Sequence, residues 1–362
     1  VEQAEPGAAP SVDLGRTAGV IAAKDQRRWI RLAVESLRAE VDELVVVDDG
    51  STDGTREILE SMVDELGITL IVHETPNGVS KAFTEAITAA SSEIILIQGG
   101  DDRTLKGRGF RSAQALAEPG VALVTSVPEV IDADGSVLPD WAAGEFHAGN
   151  GAGDPLSRLF FHGNFLCAPS VAIRRSDYFD GGAFPEGIDL LQDYALWLEL
   201  ATRGGVEVTA DPMVSYRKHG ANLSREYASV DSPRRRRHGA EMAWVLNRFL
   251  DRSSLETLQR LHPQGLSPQS QFSRDELATV LRLTSNRRSL LRRGVDDLLS
   301  AVANHGDVIL DRIGLSKPDV NELLLRADVD GLAEIGRADA VVERLSRHRE
   351  RSTIAAELQP PA

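Results

Sequence analysis

From residue 17 to about residue 210 the chain alternates strand-sized apolar runs with segments of helical periodicity, and this alternation limits the possible folds more than any other feature. Buried runs at 19–23, 44–47, 68–72 and 94–97 are separated by stripes such as Trp29, Ile30, Ala33, Val34, Leu37 and Ile58, Leu59, Met62, Val63, Leu66, with a further helix over about 80–90. Apolar residues three and four apart share a helix face, whereas short unbroken apolar runs suit buried strands. Strand, helix and strand in succession predict crossover units and a mostly parallel central sheet. A strand at 121–127, a helix at 190–201 and a strand at 206–210 continue the pattern. Between them lies a Gly-, Ala- and Asp-rich loop at 132–156, long enough to suggest a functional role.

The character changes near residue 261. Pro263, Gly265 and Pro268 mark a linker at 261–271. Beyond it Ser273 and Glu276 fit a capping box, Leu290, Leu291, Val295, Leu298, Leu299 and Val302 form a helical stripe, and Pro318 opens a helix carrying Leu323 and Leu324. The expected organisation is a flexible N-terminus at 1–16, an α/β domain at 17–252, an all-helical region at 253–350 and a flexible tail at 351–362. A chain of 362 residues accommodates one large and one smaller domain.

Composition excludes several functions. With 40 Lys and Arg against 55 Asp and Glu, the net charge of −15 disfavours nucleic acid as a partner. The single cysteine, Cys167, allows neither an intrachain disulfide nor a cysteine zinc site, and fits a reducing cytoplasm. No apolar run reaches the 18 to 20 residues of a membrane-spanning helix.

Candidate chemistry collects at strand ends, where open α/β sheets bind ligands. Asp48 and Asp49 follow the run at 44–47; alone they also suit a turn and a helix cap. Gln98-Gly99-Gly100-Asp101-Asp102 follows the run at 94–97. It reads either as a tight turn or as oxygen ligands for Mg²⁺ or Mn²⁺, which keeps open positions for phosphates. Taken singly, Lys81 fits a solvated helix face, Asp193 a helix-start acid favoured by the macrodipole, and His219 a hydrogen-bonded histidine.

The string Val45-Val46-Val47-Asp48-Asp49-Gly50-Ser51-Thr52-Asp53-Gly54-Thr55 closely resembles the signature of family 2 glycosyltransferases with the GT-A fold. The resemblance implies that Asp49 touches the nucleotide base, often a uracil imide, with Asp48 and Asp101 also at the nucleotide. Asn77-Gly78-Val79-Ser80-Lys81-Ala82 is similar to the family's Asn-Gly stretch and implies Lys81 as a nucleotide contact. The acidic turn stands where the family keeps a metal-binding Asp-x-Asp, with Gly100 replacing the first acid and Asp102 implied as the metal ligand. Leu190-Leu191-Gln192-Asp193-Tyr194-Ala195-Leu196-Trp197-Leu198 resembles the helix of the catalytic base; Gln192 replaces the usual Glu, leaving Asp193 for that role. Tyr216-Arg217-Lys218-His219 resembles the Tyr-Arg-x-His ending whose His completes the metal site. Gly163-Asn164-Phe165 and Pro169-Ser170-Val171 match the acceptor side, while Ala23-Lys24-Asp25-Gln26 departs from the family's Pro-Thr-Tyr-Asn.

Covering about residues 17–225, the resemblance implies a Mn²⁺- or Mg²⁺-dependent inverting hexosyl transfer from a nucleoside diphosphate sugar, UDP-linked, to a glycan, lipid-linked or small-molecule hydroxyl. That places the expected role in cell-surface polysaccharide or glycoconjugate synthesis, in the cytoplasm. The basic run at 234–237 reads as a solvated helix start or as contact with a phosphate-bearing or membrane-surface acceptor, and the C-terminal helices suggest homo-oligomer formation. Two rivals are a sugar nucleotidyltransferase, which would want a glycine-rich loop where 22–28 has no glycine, and a non-catalytic sugar-nucleotide binder, suggested by Gly100 and Gln192.

Overall fold

The computed structural model of the chain describes residues 14–147, 153–220, 222, 233–261, 272–285 and 287–327. The chain divides into two compact units, one of residues 1–151 and 165–225, the other of 152–164 and 226–362. The predicted alternation appears as β1 (Thr17–Ala23), α1 (Ile30–Arg38), β2 (Glu43–Asp49), α2 (Thr55–Leu66), β3 (Thr69–His73), α3 (Val79–Ala89) and β4 (Ile94–Gly99). There follow β5 (Arg103–Thr104), α4 (Arg108–Ala117), β6 (Val121–Ser126), β7 (Glu129–Ile131) and α5 (Gly144–His147). After α6 (Pro155–His162), which belongs to the second unit, come β8 (Ala172–Arg174), α7 (Arg175–Asp180), α8 (Gln192–Arg203), β9 (Gly205–Thr209) and β10 (Val214–Arg217).

Among the described residues the main sheet has the order β3-β2-β1-β4-β8-β6-β9, and β8 alone runs antiparallel to its neighbours. The first unit is therefore the expected α/β fold with a mostly parallel sheet. Strand order reverses between β1 and β4, which opens a crevice beyond their carboxyl ends. The strands are held rigidly beneath it. Ile21, Leu44, Val46 and Leu96 pack with Ile30, Val34 and Leu37 of α1 and Leu59 and Met62 of α2 in one core, each burial contributing about 1.5–3 kcal/mol. A Cβ at Gly19 would lie 2.7 Å from Leu37, so glycine lets α1 approach β1. A smaller sheet pairs β10 antiparallel with β5 and parallel with β7, setting Ser215 opposite Arg103. The expected loop at 132–156 contains helical turns at Asp140–Ala143 and in α5 and α6.

The second unit continues with α9 (Pro233–Arg252), α10 (Leu255–Leu261), α11 (Arg274–Leu283), α12 (Arg288–His305), α13 (Val308–Ile313) and α14 (Lys317–Ala327). The Ser273–Glu276 capping box forms, and Leu283, Leu291, Val295, Leu298, Ile309, Leu310, Ile313 and Leu323 share a core. The boundary expected at 252 is corrected, because α9 is tied to the later helices. The buried guanidinium of Arg282 bonds Asn247 at 3.1 Å, Asp297 at 2.8 Å, and Asp251, and such a charge is tolerated in a core only when paired. Likewise Asp154 caps α6 through Ser157 N at 3.2 Å and meets Arg260 at 2.8 Å, drawing 152–164 into this unit. Residues 262–271 of the linker expected at 261–271, residues 1–13 of the terminus expected at 1–16, residues 328–350 of the helical region and the tail at 351–362 lie outside the described residues.

Candidate active site

The last two residues of β2 do different work. Asp48 is fully buried, with Oδ2 accepting from Arg56 Nε at 3.2 Å and Ser51 N at 3.3 Å, so this carboxylate serves the turn and α2. Its Oδ1 is buried without a hydrogen-bond partner. Asp49 Oδ1 accepts from Asn77 N at 2.7 Å and meets His73 Nδ1 at 2.7 Å, while Oδ2 accepts from Gly78 N at 3.0 Å. Burial pushes the Asp49 carboxyl up, but the His73 bond and the two backbone N–H groups outweigh it and hold the pKa below the ordinary value. Gly50 has φ +71° and Gly78 φ +96°, conformations that favour glycine and fold these turns toward Asp49.

The remainder of the signature string stitches the loop after β1 to the loop after β2. Asp25 N donates to Ser51 Oγ at 3.0 Å, Gln26 N to Thr55 Oγ1 at 2.8 Å, Arg27 N to Asp53 Oδ2 at 3.0 Å, and Thr52 N returns to Asp25 Oδ1 at 2.8 Å. Lys81 lies half-exposed on α3, 3.9 Å from Glu85, whose other carboxylate oxygen meets His73 Nε2 at 2.6 Å. Lys81 and Asp49 are thus joined through two residues, Glu85 and His73, that carried no motif.

At the end of β4 the two acids converge. The position a Cβ would take at Gly99 is 2.7 Å from Asp102 Oδ2 and 2.8 Å from Asp101 Oδ1. The carboxylate that meets His219 is that of Asp101, with Oδ2 2.7 Å from Nε2. Asp102, expected with His219 at a metal, is buried, and its Oδ1 accepts from Arg217 N at 2.8 Å. Burial first, and the Asp101 charge second, push the Asp102 carboxyl well above the usual carboxylate range. Pairing of β10 with β5 brings His219 across the chain to this turn; Arg217 Nε donates to Asp101 O at 2.7 Å, and the Trp29 ring lies 4.2 Å from the His219 ring. A Cβ at Gly100 would overlap Gln26 Oε1 and come within 3.0 Å of Ile30 Cδ1. The space for an acid there is filled by Gln26.

Asp193 stands in the first turn of α8, half-buried, with Oδ1 accepting from Tyr194 N at 2.7 Å. The loop before it docks on the start of α3. Ser80 Oγ donates to Ile188 O at 2.5 Å, and a Cβ at Gly78 would lie 3.0 Å from Asp189 Oδ1. The turn that donates to Asp49 therefore also supports the approach to Asp193. His73, Glu85, Gln26, Arg217 and Trp29 were not singled out from the sequence as site residues; for His73, position at a strand end was the available signal.

A sheet with a topological switch point, and acids at the carboxyl ends of its inner strands, offers a ligand site in the crevice beyond those ends. The model of glycosyl transferase family 2 matches residues 20–180. Over these residues the chain is similar to family 2 glycosyltransferases, and the likeness supports a transferase enzyme. An uncharacterized glycosyltransferase, alr2836, of Nostoc sp. (strain PCC 7120) is 24% identical over 250 residues, 64% of this chain and 75% of that protein. S. aureus TarS 1–349 superposes with a TM-score of 0.55 at 16% identity, covering 93% of this chain and 92% of that one. Its complex with UDP-GlcNAc gives the same values. At that identity the likeness speaks for the fold. Among the described residues no helix is long and apolar enough to cross a membrane.

Proposed function

We propose that the chain transfers a hexose from a UDP-linked donor to an acceptor hydroxyl with inversion. The observation that carries this reading is the arrangement within one unit of three groups. These are Asp49 at the end of β2, the Asp101–Asp102–His219 cluster after β4 and β10, and Asp193 at the start of α8, whose entry loop rests on the turn that donates to Asp49. Asp49 would accept from the uracil imide, with Lys81 nearby on α3. The uncharged alternative of cytosine, which presents an acceptor there, would face an acceptor.

The residues after β4 suit a divalent cation. Two carboxylates bracket the space beside Gly99, and Asp102 is raised in pKa by burial and then by the Asp101 charge, the second of which a cation would offset. Among the described residues no group of three or more His, Cys, Asp or Glu is arranged to hold a metal, so at most two of Asp101, Asp102 and His219 would hold it, with diphosphate oxygens in its other positions. When bound, Mn²⁺ or Mg²⁺ supplies charge neutralisation on the leaving diphosphate. Asp193 would take the proton of the attacking hydroxyl, a step that needs acceptor and donor held in line. The TarS complex with UDP-GlcNAc supports a UDP-sugar as first donor to try. Acceptors remain a glycan, a lipid-linked or a small-molecule hydroxyl.

The test is a titration of UDP and UDP-GlcNAc with and without Mn²⁺, followed by donor hydrolysis under the same conditions. Affinity that rises with Mn²⁺ and slow Mn²⁺-dependent release of UDP are expected. Equal binding of UDP, CDP and GDP would overturn the donor assignment, and metal-independent binding and release would overturn the cation's role.

A further inference from the structure

We propose that His73 is the positioning residue for base selection: held between Asp49 and Glu85, it donates from both ring nitrogens and fixes Asp49 as an ionised acceptor that admits only a base with an imide N–H. The inference rests on the reading of Asp49 as the base contact and extends it.

A neutral imidazole has one N–H and one lone pair. In this chain both ring nitrogens face carboxylate oxygens, Nδ1 to Asp49 Oδ1 at 2.7 Å and Nε2 to Glu85 Oε2 at 2.6 Å. Those lengths belong to charge-assisted bonds. A neutral ring would aim a lone pair at one carboxylate, so the group of three must hold an extra proton. Asp49 disfavours that proton, because it also accepts from Asn77 N and Gly78 N, and Lys81 stands 3.9 Å from the other oxygen of Glu85. The ring remains as its seat. Arg56, on α2, reaches the His73 carbonyl at 2.6 Å rather than the ring, and turns toward Asp48 and Glu74. The ring is buried, so water does not replace either partner. Burial alone would lower the ring's pKa, but the bonds to Asp49 and Glu85 and their charges raise it above the ordinary value.

Specificity follows from the lone pairs. Oδ1 of Asp49 is occupied by His73 and Asn77, whereas among the described residues Oδ2 accepts only from Gly78. With roughly two acceptor positions on each carboxylate oxygen, Oδ2 keeps one for a ligand. The imidazolium behind Oδ1 keeps the carboxylate ionised and stops it rotating. A base offering N–H, as uracil does at N3, completes the set; a base offering a lone pair at that place is rejected.

The experiment uses the full chain and UDP and CDP as probes at constant Mn²⁺. Asp49→Asn tests the underlying reading, and should abolish the preference for UDP over CDP. His73→Gln places its amide where Nε2 stood and leaves Asp49 unheld, whereas His73→Asn places its amide where Nδ1 stood. His73→Gln should lower UDP affinity about tenfold while leaving CDP little changed, the usual size of a lost charged hydrogen bond, and His73→Asn should restore most of it. Ring ¹⁵N shifts of the unsubstituted protein at pH 7.5 should show both His73 nitrogens protonated. As pH rises through the ring's titration, UDP affinity should decline in the native protein and stay flatter in His73→Asn. If Asp49→Asn leaves the preference intact, the Asp49 reading fails. If Asp49→Asn abolishes the preference but both His73 variants keep it, the role of His73 alone fails. Equal losses for UDP and CDP in both variants, or one bare ring nitrogen in the native spectrum, would likewise overturn it.

Discussion

The carboxylates at the ends of β2 and β4 have the same chemistry and opposite electrostatics. Asp49 is surrounded by donors, His73 and two backbone N–H groups, and its pKa is held down. Asp102 receives one backbone N–H, is more deeply buried and faces a second acid, and its pKa is pushed up. The first end is a finished hydrogen-bonding surface that favours a neutral ligand with a donor. The second carries negative charge that its own protein groups leave undercompensated, which favours a cation. On the proposed reading, two strand ends of one sheet divide recognition into base and diphosphate.

The largest expected effect comes from the acid that belongs to neither end. Asp193→Asn should reduce turnover by about 10²–10⁴ while leaving UDP and Mn²⁺ affinity near that of the native protein, because general-base catalysis has that worth and ground-state binding is untouched. Single-turnover transfer beside calorimetric titration measures both. A rise in KM alone would make Asp193 a substrate-positioning group.

Next in size is the division between the two ends. Asp101→Asn should remove most of the gain in UDP affinity that Mn²⁺ provides, with His219→Ala milder; Asp49→Asn should keep the gain and lower affinity with or without metal by about tenfold or more. If both variants lose the same increment in the same conditions, the ends do not act separately.

Much of this fold was legible in the sequence. The runs at 44–47 and 94–97 are unbroken and aliphatic, and they lie at the centre of the sheet, where burial on both faces demands such a pattern. β5, β7 and β8 escaped notice because strands of two or three residues carry no periodicity. Asp49 could be found from its position past a buried strand. His73 closes the edge strand β3, only partly buried before it, and stands one residue past the run read at 68–72. Nothing local announces that His219 meets Asp101, since that contact depends on pairing between β5 and β10. The two departures from the family pattern, at 23–26 and at Gly100, looked independent in sequence. In the fold Gln26 fills the space an acid at 100 would need, so they are one packing event.

That coupling gives a third, smaller effect. Gly100→Ala should destabilise the α/β unit by about 1–3 kcal/mol, the usual range for overpacking, and Gln26→Ala should recover most of the loss in the double variant. Urea unfolding measures it. Additive losses would show that Gln26 is not the obstacle, and that the β4 end tolerates a side chain beside its acids.

The smallest effect tests the electrostatic contrast itself, in the presence of EDTA. Asp49 has a folded pKa below its ordinary 3.8, so its stabilisation is present above that pH and is lost as pH falls through the lowered value. Asp102 has a folded pKa raised from 3.8, so its contribution is full below that pH and is lost as pH rises through the raised value. Asp49→Asn should therefore lower the melting temperature at pH 8 by a few degrees, corresponding to about 1 kcal/mol, and the deficit should persist to about pH 4 and shrink only in stronger acid, as pH falls through the lowered value. Asp102→Asn keeps the shape and an oxygen for Arg217 N but removes the titrating proton. It should be neutral or stabilising at pH 8 and lose that advantage in acid. Melting curves of both variants across about pH 2–8 decide the matter, since parallel curves would mean that the two strand ends are electrostatically alike.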